Sequence, residues 1–139
     1  MRRELVCSAL ALLLGAALGF WFAEETAERP TYKAVISPGA EDELMALLES
    51  ANRSISIEMF MMSHKGLMGA LVDAKRRGVD VRVILEPRVD GGQNIEAMNF
   101  LRERGVNARW ASLKFARTHS KLVIVDGVLV LVGSPNWSY

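Results

Sequence analysis

The sequence predicts an α/β fold: a mixed, mainly parallel sheet flanked by helices and preceded by one N-terminal transmembrane or signal helix. Three observations lead there. Short β-branched runs alternate with segments of helical spacing, the pattern of repeated strand-helix-strand crossovers. Two apolar runs meet at Asp126-Gly127, a hairpin signal. Residues 5–23 carry no charge at all.

That first segment, LVCSALALLLGAALGFWFA, reaches roughly 28 Å as a helix at about 1.5 Å per residue, close to a bilayer core. Arg2 and Arg3 precede it and Glu24, Glu25 and Glu28 follow, so the positive-inside rule sends the rest of the chain across the membrane. Residues 1–23 are read as an uncleaved signal anchor, with a cleaved signal peptide as the alternative because Ala17-Leu18-Gly19 offers a small-x-small site. The domain then lies on the non-cytoplasmic side, or is secreted after cleavage.

Residues 24–31 form a polar linker ending near Pro30, and residues 32–139 a single domain. Tyr32 to Ile36 reads as a strand before the turn pair Pro38-Gly39. Glu41 to Ala51 is helical, with an acidic first turn and one stripe of Leu44, Leu47, Leu48 and Ala51. Ser54 to Met61 reads as the next strand. Lys65 to Arg77 is a helix closed by Gly78. Val79 to Leu85 is a strand, Asn94 to Arg104 a helix closed by Gly105, and Val106 to Trp110 a short strand before the hairpin.

The only cysteine, Cys7, lies in the apolar segment, which excludes a disulfide or thiolate chemistry from the domain. Without residues 1–23, basic and acidic side chains balance, yet Arg102, Arg104, Arg109, Lys114, Arg117 and Lys121 face only Glu103 between residues 101 and 121. Such a cluster suits either an anionic substrate or a solvated basic face.

The hairpin carries the chemistry. With Asp126 and Gly127 as a two-residue turn, Val125 faces Val128, Lys121 faces Val132 and His119 faces Ser134, directly opposed side chains being roughly 5 Å apart. His119, Lys121 and Ser134 then gather at the open end, with Asn136 just beyond. An imidazole can act as nucleophile or acid-base, and an ammonium, hydroxyl and carboxamide can hold anionic oxygens. No second histidine or carboxylate lies at ligand spacing, so no metal or cofactor is expected. A phosphodiester fits, because phosphoryl transfer depends mostly on positioning and charge stabilisation. Asp126, in the turn, shapes the hairpin on this reading.

The pattern His119-x-Lys121-(four residues)-Asp126, followed by Gly133-Ser134-x-Asn136, resembles the HKD signature of the phospholipase D superfamily. The stretch SISIEMFMMSHKGLMGALVDAKRRGVDVRVILE is similar to the strand-helix-strand of its small single-HKD members, the Nuc-type endonucleases and the Zucchini-type proteins, some of them cardiolipin hydrolases. The resemblance spans about residues 32 to 138. It implies a phospholipase D-like fold and a metal-independent phosphodiesterase. His119 would attack phosphorus, a second histidine would protonate the leaving oxygen, and water would hydrolyse the phosphohistidine. Lys121, Ser134 and Asn136 would bind the phosphate, and Asp126 is carried over as a catalytic signature residue. One motif supplies one histidine, so the resemblance implies a homodimer. Small members run on for a helix and a strand bearing an acidic residue about ten positions after the asparagine; ending at Tyr139, this chain is expected to lack them.

Three functions follow as expectations: a Nuc-like endonuclease acting on nucleic acid, a phospholipase acting on membrane phospholipid, or an inactive tethered phosphate-binding domain. Among the remaining residues, His64 reads as a surface or helix-capping residue that could alternatively line the site. Glu58 reads as a charge amid apolar residues that could stand in for the missing acid. Trp137 reads as packing beneath the hairpin rather than stacking on a base.

Overall fold

The computed structural model describes residues 30–36 and 39–138, and the chain divides into residues 1–34 and 35–139. The expected membrane or signal helix over residues 5–23 lies outside the described residues. Among those described, no helix is long and apolar enough to cross a membrane.

The described residues of the second unit form three α-helices and a five-stranded sheet. Helix α1 (Ala40–Glu49) leads to β1 (Ser54–Met59), α2 (Lys65–Arg76), β2 (Asp80–Leu85), a 3₁₀ turn (Asp90–Gly92), α3 (Gln93–Glu103) and β3 (Asn107–Trp110). The hairpin of β4 (Lys121–Val125) and β5 (Leu129–Val132) follows. The strand expected at Tyr32 to Ile36 is absent: residues 30–36 are exposed and carry no regular element. Apolar residues suit a strand, but a strand also needs a place in a sheet's hydrogen-bonded ladder, and the five-stranded sheet does not include this stretch.

The strand order is β3-β2-β1-β4-β5. β1 pairs parallel with β2, and β2 with β3, whereas β4 runs antiparallel to both β1 and β5. The sheet is thus evenly mixed rather than mainly parallel, because the hairpin inserts against β1 in the reverse direction. Registered pairs place Ile55, Ile57 and Met59 beside Val81, Val83 and Leu85, and Ile55 and Ile57 beside Val125 and Val123. All are buried and form the core with Leu48, Leu71, Met98 and Leu101 from the helices. Right-handed crossovers that progress in one direction put α2 and α3 on one face. The alternate residues, among them Glu58, Arg82, Ile84, Leu122 and Val132, point to the other face, over which no described helix packs.

Candidate active site

In a βαβ sheet, the ends where parallel strands stop and helices begin form a crevice whose residues are free of ladder pairing. Here that edge holds the C-terminal ends of β1 and β2 and, because β4 is antiparallel, its beginning. Met59 is registered against both Leu85 and Lys121, which brings Phe60, Glu86 and residues 118–121 to one edge. The Phe60 N–H donates to the Ser120 carbonyl at 2.8 Å, carrying the pairing one step beyond the strands.

At this edge His119 is exposed and Lys121 buried. The Lys121 ammonium lies 3.1 Å from Nε2 and 3.3 Å from Nδ1 of His119, and donates to the His119 carbonyl at 3.1 Å. The Phe60 ring stands 4.5 Å from the His119 ring, tilted by 59°. The same ring is approached by the Lys121 ammonium at 5.1 Å and the Arg117 guanidinium at 5.5 Å. One aromatic ring thus meets an imidazole and two cations. Burial pulls the Lys121 pKa below its ordinary value, since an ammonium loses hydration there. An incoming anion would restore what burial removes.

Two buried side chains hold this edge together. Glu86 follows β2 with no exposed surface. Its Oε1 accepts from the Arg88 side-chain Nε at 2.6 Å and the Arg88 backbone N–H at 3.0 Å, and its Oε2 from the Thr118 N–H at 2.6 Å. The Arg88 hydrogen bond leads the causes that hold its pKa down at about 2; the backbone donors add to it, against desolvation. Asn94, at the start of α3, accepts from the Met62 N–H at 2.9 Å and donates to the carbonyls of Phe60 and Glu86 at 2.7 and 2.8 Å. Sequence reasoning missed Glu86, Arg88, Asn94 and Phe60. The available signal was an acid closing the apolar run VRVIL, two residues before an arginine.

The turn at Asp126-Gly127 forms, with the Val128 N–H donating to Val125 at 3.1 Å and positive φ at both residues, 55° and 76°. Val128 is then left out of the ladder, which resumes with Val125 opposite Leu129. The expected facing of Val125 with Val128, Lys121 with Val132 and His119 with Ser134 is therefore wrong by one residue. Val132 faces Leu122, and the Gly133 N–H donates to the Lys121 carbonyl at 3.2 Å. A one-residue slip exchanges the faces of a strand, so Ser134 is not the cross-strand partner of His119.

Gly133 to Asn136 nevertheless reach the Lys121 end by another route. Trp137 is buried and bridges Met62; its N–H donates to Met61 and its carbonyl accepts from Ser63 and His64 at 2.7 and 2.9 Å. Residues 133–136 thus cross from β5 past the start of β4 to the end of β1. Ser134 is exposed along this path, and the Asn136 Oδ1 is shielded without a hydrogen-bond partner. Trp137 packs in the core, as expected.

Asp126 stands at the other end of β4 from Lys121, about 16 Å away at roughly 3.3 Å per residue. Its carboxylate accepts from the N–H groups of Asn52, Arg53 and Ser54 at 3.0, 2.7 and 2.8 Å, which lowers its pKa. His64 caps α2 by accepting from the Leu67 N–H at 3.3 Å; it is buried and lies 3.2 Å from Glu41, a cap rather than a surface residue. Glu58 points away from Lys121, since Met59 is Lys121's registered neighbour. The basic cluster also divides. Arg102 binds the Ala108 carbonyl and Arg104 stacks on Phe100 at the far end of α3, while Arg117 and Lys121 stay at the site with Arg88. Among the described residues no three His, Cys, Asp or Glu side chains converge as metal ligands.

Residues 44–139 match the family described as cardiolipin synthase, PLD-like domain. A mitochondrial cardiolipin hydrolase of Xenopus laevis is 35% identical over 95 residues, 68% of this chain and 44% of its own length. That of Chlamydomonas reinhardtii is 28% identical over 102 residues, 73% and 45% of the two chains. This chain therefore spans less than half the length of these relatives. Among solved structures, Nuc from Salmonella typhimurium, described as a phospholipase D family member, is similar with a TM-score of 0.68 and 36% identity, over 73% of this chain and 68% of Nuc. NucT from Helicobacter pylori shares the fold at a TM-score of 0.60 and 22% identity, over 75% and 73%.

Proposed function

This chain belongs to the phospholipase D-like family, and from that premise we propose that it is a phosphodiesterase working through a phosphohistidine, with nucleic acid as substrate in the manner of Nuc. The observation that carries this reading is the exposed His119 held against Phe60, with the buried Lys121 ammonium at its ring. A neutral imidazole nitrogen of His119 attacks phosphorus, and the phosphorus–oxygen bond to the leaving group breaks. The leaving oxygen takes a proton from a second imidazole, and water, returning a proton to that imidazole, then cleaves the phosphorus–nitrogen bond. Lys121, with Ser134 and Asn136, holds the non-bridging oxygens, whose charge grows in the transition state. The residues provide this charge themselves, so the reaction is proposed to need no metal.

One motif offers one such histidine, because His64 is engaged as a cap. The proton donor is therefore proposed to be His119 of a second copy, in a homodimer joined at this edge. A second reading, hydrolysis of membrane phospholipid, is favoured by the 35% identity to a cardiolipin hydrolase and by the apolar residues 5–23, which would tether the domain to a bilayer.

The test offers the full chain in detergent single-stranded DNA or cardiolipin vesicles, both in EDTA, beside His119→Asn. DNA cleavage that survives EDTA and disappears in the variant is expected. Turnover of cardiolipin alone selects the second reading, and cleavage abolished by EDTA overturns the metal-free mechanism. Binding without turnover of either substrate would leave a phosphate-binding domain.

A further inference from the structure

We propose that Glu86, braced by Arg88, is a positioning residue for His119, fixing the backbone one residue before the imidazole. The inference rests on His119 being the reactive group. The histidine side chain itself is exposed and meets the Phe60 ring and the Lys121 ammonium. Its backbone is held on both flanks. The His119 carbonyl accepts from Lys121 and the Ser120 carbonyl from the Phe60 N–H at 2.8 Å, while on the preceding residue the buried Thr118 N–H donates to Glu86 Oε2 at 2.6 Å. Arg88 gives Glu86 a forked partner through Nε and Nη2, at 2.6 and 3.4 Å, and its Nη1 reaches on to the Phe115 carbonyl at 2.9 Å. One carboxylate and one guanidinium therefore grip both ends of residues 115–118, the strap that delivers His119.

The opposing surface is fixed by a separate bond set. Asn94 ties the Phe60 carbonyl to the Glu86 carbonyl, so the ring that meets His119 and the carboxylate that holds Thr118 share one anchor. Imidazole and ring face are thus referred to the same point at the end of β2. A hydrophobic pair in place of the ions would fill the space, but it could not accept the Thr118 N–H. The carboxylate is fully buried, so this charge serves through what it holds and does not touch substrate.

The experiment compares the full chain in micelles with Glu86→Gln, Glu86→Ala and Arg88→Met, reading the Thr118 amide and His119 ring resonances by NMR and kcat and KM on a DNA oligonucleotide. The two histidines are told apart with His119→Asn. Glu86→Gln keeps an oxygen for Thr118 and is expected to shift both resonances modestly, with kcat down about tenfold and KM within about twofold. Glu86→Ala is expected to free the Thr118 amide to exchange and to broaden the His119 ring signals, and the glutamine variant to recover part of that loss. Should the alanine variant not fold, Arg88→Met, at a partly exposed side chain, shows the same direction of change. Unchanged Thr118 and His119 signals in a folded Glu86 or Arg88 variant overturn the proposal, as does a rise in KM at constant kcat. A wild-type chain without turnover defeats the enzymatic reading alone, and the resonances still decide whether Glu86 positions His119.

Discussion

Burying a carboxylate costs several kcal/mol unless donors replace its water, and Glu86 has three strong ones. Its pKa of about 2 lies below the ordinary 4.5, so the folded state holds the carboxylate more firmly than the unfolded chain does. That contribution is complete above pH 4.5 and is lost as pH falls toward 2. Acid titration monitored by circular dichroism should therefore show wild type losing stability over this window, and Glu86→Gln losing less. Asp126 adds to the same limb, since its lowered pKa also favours the charged form in the fold. Asp126→Ala leaves three backbone N–H groups without their acceptor and is expected to lower the melting temperature, with the His119 ring resonances unmoved. His119 and Lys121 were legible because their spacing is strict, whereas Glu86 and Asn94 were not. A single acid or amide acquires meaning only when folding brings Phe60, Met62 and Thr118 to it from distant parts of the chain.

Among elements, the hairpin shows where pattern ends and geometry begins. Asp126-Gly127 announces a tight turn, and the turn closes there. The bulged Val128 is silent in the sequence, because an extra valine after a glycine looks like the start of a strand. Pairing of β4 with β1 decides the matter: the Asp126 N–H donates to the Ser54 carbonyl, and its carboxylate clasps the chain just before β1. The first expected strand failed for the opposite reason, having the apolar composition and no place in the five-stranded sheet. The three described helices lie within two residues of their expected bounds because caps and apolar stripes are local signals. Trp137 locks the segment after β5 to the end of β1, so Trp137→Ala is expected to cost about 3–5 kcal/mol by urea unfolding. The same change should loosen Asn136 and weaken inorganic phosphate binding.

For the whole molecule, the αβ alternation announced the class, but the sheet's even mix of parallel and antiparallel pairs was settled only by where the hairpin docks. If two copies share the site, mixing wild type with excess His119→Asn should depress activity below the proportional value; strictly proportional activity would contradict shared histidines. The order of assembly has its own consequence. β1 meets β2 across 26 residues of chain, Ser54 to Asp80, whereas Met59 meets Lys121 across 62. Closing the longer loop costs more entropy before any contact rewards it. Pulse-labelled hydrogen exchange during refolding is therefore expected to protect the β1 and β2 amides paired with each other before those of Phe60 and Asp126. A chain with its parallel half formed and its hairpin still free would have a folded nucleus and no assembled histidine site. On the proposed phosphodiesterase reading, the capacity to cut arrives with the last long-range contact, and partly folded chains are expected to be catalytically silent.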